Sequence, residues 1–485
     1  MVKKLFIFTV VLISYLTFTI EHCYAQWQPD VRLTNDPGSS YTSENNAWCI
    51  AAYGNVVHAV WADNRDGING EIYYKRSTNL GLNWEPDTRL TNDTSSSYTP
   101  SIAVYGSIVH VVWQDNRNGN VEIYYKRSTD NGFTWSADTR LTNSIGYSRN
   151  PSIAVSASNV NIVWDDNRDG NYEIYYKRST DGGVNWEADT RLTNNTSSSG
   201  SASITAVGLF VHIVWYDNRD GNNEIYYKLS TNSGLNWGAD TRLTYNTDNS
   251  IQPSIAVAGS LVHVLWADYR YNVEIFYKRS TDGGMSWGDD IRLTNNSGNS
   301  WYPSIAISGS FMNIVWSDNS DGNFEIYYKH STNNGLIWGN DTRLTNNTAV
   351  SINPSIANSG SNLHVVWTDS RDGNNEIYYK RNPTGNPTNI QIITSEIPTA
   401  FSLEQNYPNP FNPITNIKFQ IAKSGNVKLI VFDILGKEVA TLVNESLQPG
   451  TYETTFDASN LTSGIYFYRL QTDKFVETKK MSLIK

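Results

Sequence analysis

Seven copies of one phrase, Trp-x-Asp, recur along the chain at Trp61, Trp113, Trp164, Trp215, Trp266, Trp316 and Trp367, 50 to 52 residues apart. Each is followed by a turn rich in Gly, Asn and Asp, then by Glu-Ile-Tyr-Tyr-Lys or a near copy, as at Glu122 to Lys126. A fixed period of this length means that copies of one supersecondary unit are stacked or arranged radially. One such unit can be read from Pro100 to Asn143. Ser101 to Val104 and Ile108 to Trp113 read as strands, the second apolar on both faces apart from His110, as expected of a strand sandwiched between neighbouring sheets. Asp115 to Asn120 is a hairpin turn in which Gly119 is available for a positive φ. Glu122 to Arg127 is a third strand and Thr139 to Thr142 a fourth. No segment carries a helix signal.

Four short antiparallel strands at this period describe the blades of a β-propeller, so the expected fold is all-β, a seven-bladed β-propeller of four-stranded antiparallel blades spanning residues 26–382. Arg-Leu-Thr also occurs seven times, first at Arg32 and last at Arg343. The first copy precedes every other strand, and the last Glu-Ile-Tyr-Tyr-Lys, at Glu376, has no Arg-Leu-Thr after it. The strand around Arg32 is therefore expected to complete the seventh blade, a closure that leaves no unpaired edge.

Residues 1–25 read as a secretory signal peptide. Lys3 and Lys4 form a basic start, Leu5 to Ile20 are almost wholly apolar, and Ala25 offers a cleavage point. Cys23 raises a lipoprotein anchor as the alternative, against which stand its neighbours Glu21 and His22. No other apolar run is long enough for a membrane span. Cleavage would leave Cys49 alone, so no intramolecular disulfide is expected and stability must come from packing; the 16 Trp, 30 Tyr and 15 Phe supply it. A net charge of −10 argues against nucleic acid and anionic membranes as partners.

Six segments between third and fourth strands read Ser-Thr-(Asp/Asn)-x-Gly-x-x-Trp, from Ser77 to Trp84 in the first and from Ser331 to Trp338 in the last. They resemble the Asp-box, or BNR, repeat of the sialidase-like superfamily of propellers. The physics of the motif is structural. In Ser128, Asp130, Gly132 and Trp135, and likewise at Asp181, Trp186, Asp282 and Trp287, oxygens accept bonds from turn amides, Gly permits the bend and Trp packs between sheets. The enzymatic side of the resemblance does not carry over. The family's Arg-Ile-Pro-type motif is absent, and its arginine triad, Tyr/Glu pair and acid Asp would have to break a repeat that here is nearly uniform. The familiar sialidases are also six-bladed.

A second resemblance covers the C-terminus. Asn406 to Pro413, Ser463 to Phe467 and the terminal Lys479 to Lys485 look like the sorting domain of the bacterial type IX secretion system, which implies that its secretion machinery is a partner and that the chain is exported, then released or held at the cell surface. Ile414 to Ile421, Val427 to Asp433, Thr451 to Phe456 and Ile465 to Leu470 alternate as strands of a small Ig-like β-sandwich over residues 399–485, after a linker at 383–398 rich in Pro, Thr and Asn.

For a ligand, the face carrying the hairpins is chemically the richer. It presents Asp115, Asp166 and Asp217 and their four equivalents, with Arg65, Arg117, Arg168, Arg219, Arg270 and Arg371; Ser320 interrupts the Arg series. Tyr98, Tyr147, Trp301 and Tyr302 stand in the adjoining loops. Arg forks and aromatic faces beside carboxylates suit a sugar or a planar anion. The competing reading is that the Asp bonds its own turn amides and the Arg pairs with it. The Asp-Asn-Arg-Asp-Gly string lacks the alternating carboxylates and distal Glu of a calcium loop, so no metal or cofactor is expected. His58, His110, His212, His263 and His364 share one slot of the second strand with Asn161 and Asn313; spaced by the ~10 Å between sheets, they are expected to be hydrogen-bonding core residues. The leading expectation is an exported, non-catalytic propeller that binds a glycan or a surface protein. The alternatives are a sialidase-like exo-glycoside hydrolase with degenerate motifs and a structural adhesion protein.

Overall fold

The computed structural model describes residues 27–43, 48–67, 69–383, 390–394, 398–423, 425–447, 449–458 and 461–484. The signal peptide expected at 1–25 lies outside the described residues. Those described are all-β, with no helix among them. Between Val31 and Asn382 the strands form seven antiparallel sheets, called here the first to the seventh after their Trp-x-Asp, and the arrangement is that of a β-propeller. In the third sheet Ser148–Ser156, Asn159–Asp166, Glu173–Ser179 and Thr190–Arg191 pair in chain order. In the first sheet the inner strand is in two pieces, Ser40–Tyr41 and Ile50–Tyr53, both paired with Val56–Asp63.

The second strand of each sheet shows why its sequence does not alternate. Val160, Ile162 and Trp164 pack against Val112, Ile123 and Tyr125 of the second sheet, whereas Val163 packs with Ile204, Ile213 and Trp215 of the fourth. Both faces are buried, so both must be apolar. All seven Trp of the Trp-x-Asp phrases have no exposed surface.

The N-terminal segment joins the last sheet. Val31 and Arg32 pair with Tyr379 and Tyr378, Arg32 donates to Glu376 at 2.6 Å, and Thr34 donates to the other oxygen of the same buried carboxylate. Arg140 and Thr142 clamp Glu122 identically within the second sheet, so Arg-Leu-Thr and the Glu of Glu-Ile-Tyr-Tyr-Lys are two halves of one lock. Residues of the first and seventh sheets share a core that includes Leu33, Trp61, Val366 and Tyr379.

Two local features differ from expectation. The inner strands begin earlier than Ser101 suggested, at Ser97 and its equivalents, and a β-bulge separates the early part from the rest. The bulge holds Thr99, Asn150, Ser201, Gln252, Tyr302 and Asn353 at φ between 47° and 56°, a left-handed conformation that is uncommon outside Gly. The fourth strands are only two residues long, as at Thr139–Arg140, although the Leu141 amide still donates to the Ile123 carbonyl.

The C-terminal part has two four-stranded sheets that share a core of Phe419, Leu429, Val431, Tyr468, Leu470 and Met481 among others. One sheet starts with Ile390–Thr394, paired with Gly450–Asp457. The stretch 383–398 is thus not linker throughout. Its Pro, Thr and Asn flanks mask a short run, Ile-Gln-Ile-Ile, whose β-branched residues favour a strand.

Candidate functional site at the channel mouth

The inner strands line a central channel of about 240 Å³ with Ala103, Ala154, Thr205, Ala256, Ala306 and Ala357 and their apolar neighbours. Thr205, Asn358 and Trp48 also line it, so the channel wall is small-sided without being wholly apolar.

On the hairpin face, the repeated Asp and Arg hold one another. Asp166 is fully buried and accepts from Trp164 Nε1 at 2.9 Å, Ser148 Oγ at 2.7 Å and the Arg168 amide at 3.0 Å. Burial pushes its carboxyl up, but Arg168, Ser148 and Trp164 outweigh this and leave it below the usual range; Asp115 and Asp217 behave alike. The Arg168 guanidinium bonds Asp166 through Nε and Nη2 and Asp189 through Nη1, and lies 4.4 Å from the Tyr175 ring centroid. Arg65, Arg117, Arg219, Arg270 and Arg371 repeat this, with Asp contacts of 2.5 to 2.8 Å and ring distances of 4.2 to 4.5 Å. Removing such an Arg would leave its buried carboxylate without its cation, a larger loss than that of an exposed ion pair.

The Asp boxes lie at the opposite end of the strands. Ser128 Oγ donates to Asp130 and accepts from the Gly132 amide, and Asp130 Oδ1 accepts from the Thr134 amide at 2.8 Å. The Thr134 hydroxyl, its amide and Ser128 hold the Asp130 carboxyl down at about 2; Ser286 does the same for Asp282, and the Asn185 amide leads the bonds that depress Asp181. Trp135, Trp186 and Trp287 meet Tyr74, Tyr125 and Tyr227 of the preceding sheet edge-on at 4.9 Å; they are half-buried rather than sealed between sheets. Gly132 is required there, since a Cβ would overlap the Tyr74 hydroxyl. In the shared slot, His110 Nδ1 lies 2.7 Å from the Tyr125 hydroxyl, while Tyr176 donates to Asn161 at 2.6 Å. Burial pushes His58, His110, His263 and His364 down to about 3 and His212 to about 4. Among the described residues no cluster of His, Cys, Asp and Glu could hold a metal ion. Cys49 is buried, which pushes its thiol up and makes it inert.

One level at which the repeat breaks is the middle residue of Trp-x-Asp together with the bulge in the inner strand. The middle residues are Ala62, Gln114, Asp165, Tyr216, Ala267, Ser317 and Thr368. Asp165 is fully buried, bonded by Asn150 Nδ2 at 3.0 Å, and lies 3.8 Å from Arg149 Nε. Burial pushes its carboxyl up to about 6 despite Asn150, Arg149 and the Ser201 and Ala202 amides. Arg149 lies 3.7 Å from the centroid of Tyr172. Gly200 stands where a Cβ would crowd the Tyr216 hydroxyl. Farther round, Trp301 meets Tyr269 edge-on at 5.4 Å and Tyr302 at 6.3 Å, and the Tyr302 amide donates to Gln252. Of the aromatic residues expected from sequence, Trp301 and Tyr302 are thus brought together; Tyr98 packs on Gly70, and Tyr147 is half exposed. Arg149, Asn150, Asp165, Tyr172, Tyr216 and Tyr269 went unnoticed in the sequence. For Asp165 and Tyr216 the available signal was the one variable position inside an otherwise constant phrase.

Residues 405–485 match the family model for the secretion system C-terminal sorting domain. No curated protein matches the chain. Among solved structures it is similar to a polysaccharide lyase described as an ulvan lyase of a new family, with a TM-score of 0.55 and 10% identity over 72% of this chain and 95% of that one. The same lyase bound to -[GlcA(1-4)Rha3S]- gives a TM-score of 0.53 at 10% identity, over 72% of this chain and 95% of that one. Polysaccharide lyase Uly1 gives 0.50 at 10% identity, over 73% of this chain and 99% of that one. These likenesses establish the propeller fold. The chain is a propeller protein with a sorting domain, exported by the type IX secretion system to the cell surface or beyond. No described helix is long and apolar enough to cross a membrane.

Proposed function

We propose that this protein is an exported, non-catalytic glycan-binding propeller of seven blades over residues 26–382, closed by its N-terminal strand and followed by an Ig-like sorting domain at 399–485. Its binding site is the channel mouth on the hairpin face. The observation that carries this reading is the concentration of repeat-breaking residues there: Arg149, Tyr172 and Tyr216 on one side, Tyr269, Trp301 and Tyr302 on the other. Aromatic faces take the apolar face of a sugar ring, and guanidinium and amide groups take its oxygens. Polysaccharide-active propellers of the same fold support the ligand class. The buried Asp165 favours a second reading, acid–base glycoside chemistry, because a carboxyl held near 6 can exchange protons at working pH. A glycan array on the mature protein tests the first reading, and hydrolysis of fluorogenic sialosides tests the second. Binding that survives both Arg149→Gln and Trp301→Ala would remove the channel mouth from consideration.

A further inference from the structure

Arg149 differs from the other arginines of the hairpin face. Those each grip a buried carboxylate at 2.5 to 2.8 Å and a second one besides. Arg149 approaches its acid no closer than 3.8 Å, its buried Nε donates no hydrogen bond, and its side chain is 39% exposed. The stacking on Tyr172 fixes the plane of the guanidinium, leaving its outer edge to solvent. Beneath it, the fully buried Asp165 accepts from Asn150 Nδ2, and the Ser201 and Ala202 amides of the next sheet approach the same carboxyl. A planar fork held in place yet unpaired matches an oxyanion in two-point geometry.

Resting on the glycan-binding reading, we propose that Arg149 and Asp165 form a proton-linked subsite for an oxyanion-bearing sugar, a carboxylate or a sulfate ester, in which the ligand's anion replaces Asp165 as the partner of the guanidinium. When the ligand's charge arrives, the buried carboxylate loses its share of Arg149 and faces a second negative group, so it takes up a proton. Every group facing Asp165 is consistent with this exchange. On its own sheet it meets Arg149 and Asn150, with Tyr172 beyond the guanidinium; from the next sheet come the Ser201 and Ala202 amides and Tyr216; the preceding sheet reaches the site through Gln114, which accepts from the Asn150 amide. Arg149 is the one cation among them, so an anion that draws its guanidinium outward leaves the buried carboxylate with less of that charge.

The sign follows from linkage. In the free protein Asp165 titrates at about 6, and in the complex it titrates higher. Binding therefore takes up a proton above that value, and affinity rises by up to about tenfold per pH unit as pH falls, levelling below about 6.

The experiment is titration calorimetry of the mature protein between about pH 8 and about pH 5.5, in two buffers of different ionisation enthalpy. The probes are a glucuronate-terminated oligosaccharide, a sulfate-ester-bearing counterpart and the uncharged parent. The expected results are proton uptake and tighter binding on acidification for an anionic probe, no binding of the parent, and loss of anionic binding in Arg149→Gln. Asp165→Asn should fix the affinity at its low-pH level; if that variant fails to fold, the buffer dependence of the wild type decides alone. The carboxylate and sulfate arms show which source the subsite takes. Equal binding of the uncharged parent, affinity independent of pH, or weaker binding by a folded Asp165→Asn would overturn the inference and leave glycan binding standing. Failure of all three probes, together with an empty glycan array, would overturn the reading beneath it.

Discussion

At the scale of single residues, the repeated polar groups are mostly internal fasteners. Asp115 accepts from Trp113 Nε1, Ser97 and Arg117, all in or beside a buried strand end. Replacing Asp115 with Ala strands those donors and should cost roughly 3–5 kcal/mol in urea unfolding. Arg117→Ala, which leaves a buried Asp115 partly compensated by Ser97 and Trp113, should cost about 1–3 kcal/mol. Glycine offers a second comparison. Gly132→Ala meets both a positive φ and the Tyr74 hydroxyl, whereas Gly119→Ala meets only a positive φ in open space. The first should lower stability by roughly 2 kcal/mol or more and the second by about 1 kcal/mol; equal losses would show that the Tyr74 contact is unimportant. The sequence made the Asp-box and Trp-x-Asp residues legible because repetition marks them. It hid Arg149 and Asp165, since a functional residue in a repeat protein is marked by departure from the repeat.

At the scale of the strand, the shared His/Asn slot makes a pH prediction. Burial pushes His110 down to about 3 in the folded protein, against 6.5 when unfolded. The unfolded state therefore binds the proton first, so this stability is fully present above about 6.5 and is lost as pH falls toward 3. The slope is about 1.4 kcal/mol per pH unit for each such histidine. His110→Asn copies the pairing of Asn161 with Tyr176 and should fold while flattening the acid limb by about that amount between roughly pH 6 and pH 4. An unchanged slope in urea titrations at several pH values would contradict this. Strand order and the hairpins were readable from the period and turn residues, because both depend on local chemistry. The bulges were not: Asn150 and Tyr302 precede Pro, which normally favours extended backbone, yet both are left-handed, with their amides donating to Gln114 and Gln252 of the preceding sheet.

At the scale of the whole molecule, closure and export are separable. Closure depends on Arg32, Thr34 and Leu33 seated on the last sheet, with Arg381 donating across the junction to the Leu80 carbonyl. Deleting residues 26–36 leaves Glu376 buried without its cation and should cost roughly 3–5 kcal/mol or more, read as a lower melting temperature. Removing residues 397–485 should instead leave that temperature nearly unchanged and hold the protein in the periplasm of its host; normal surface delivery would contradict the assignment of sorting to the tail. The offset between Arg-Leu-Thr and Glu-Ile-Tyr-Tyr-Lys made the junction visible in sequence, whereas the position of the channel mouth emerged only when seven sheets stood side by side. Whether a glycan binds at that mouth is answered by a crystal structure of the mature protein soaked with its best array hit: one sugar density per ring is expected, in contact with Arg149 or Trp301, whereas density confined to the hairpin Arg–Asp pairs of several sheets, with the mouth empty, would refute binding there.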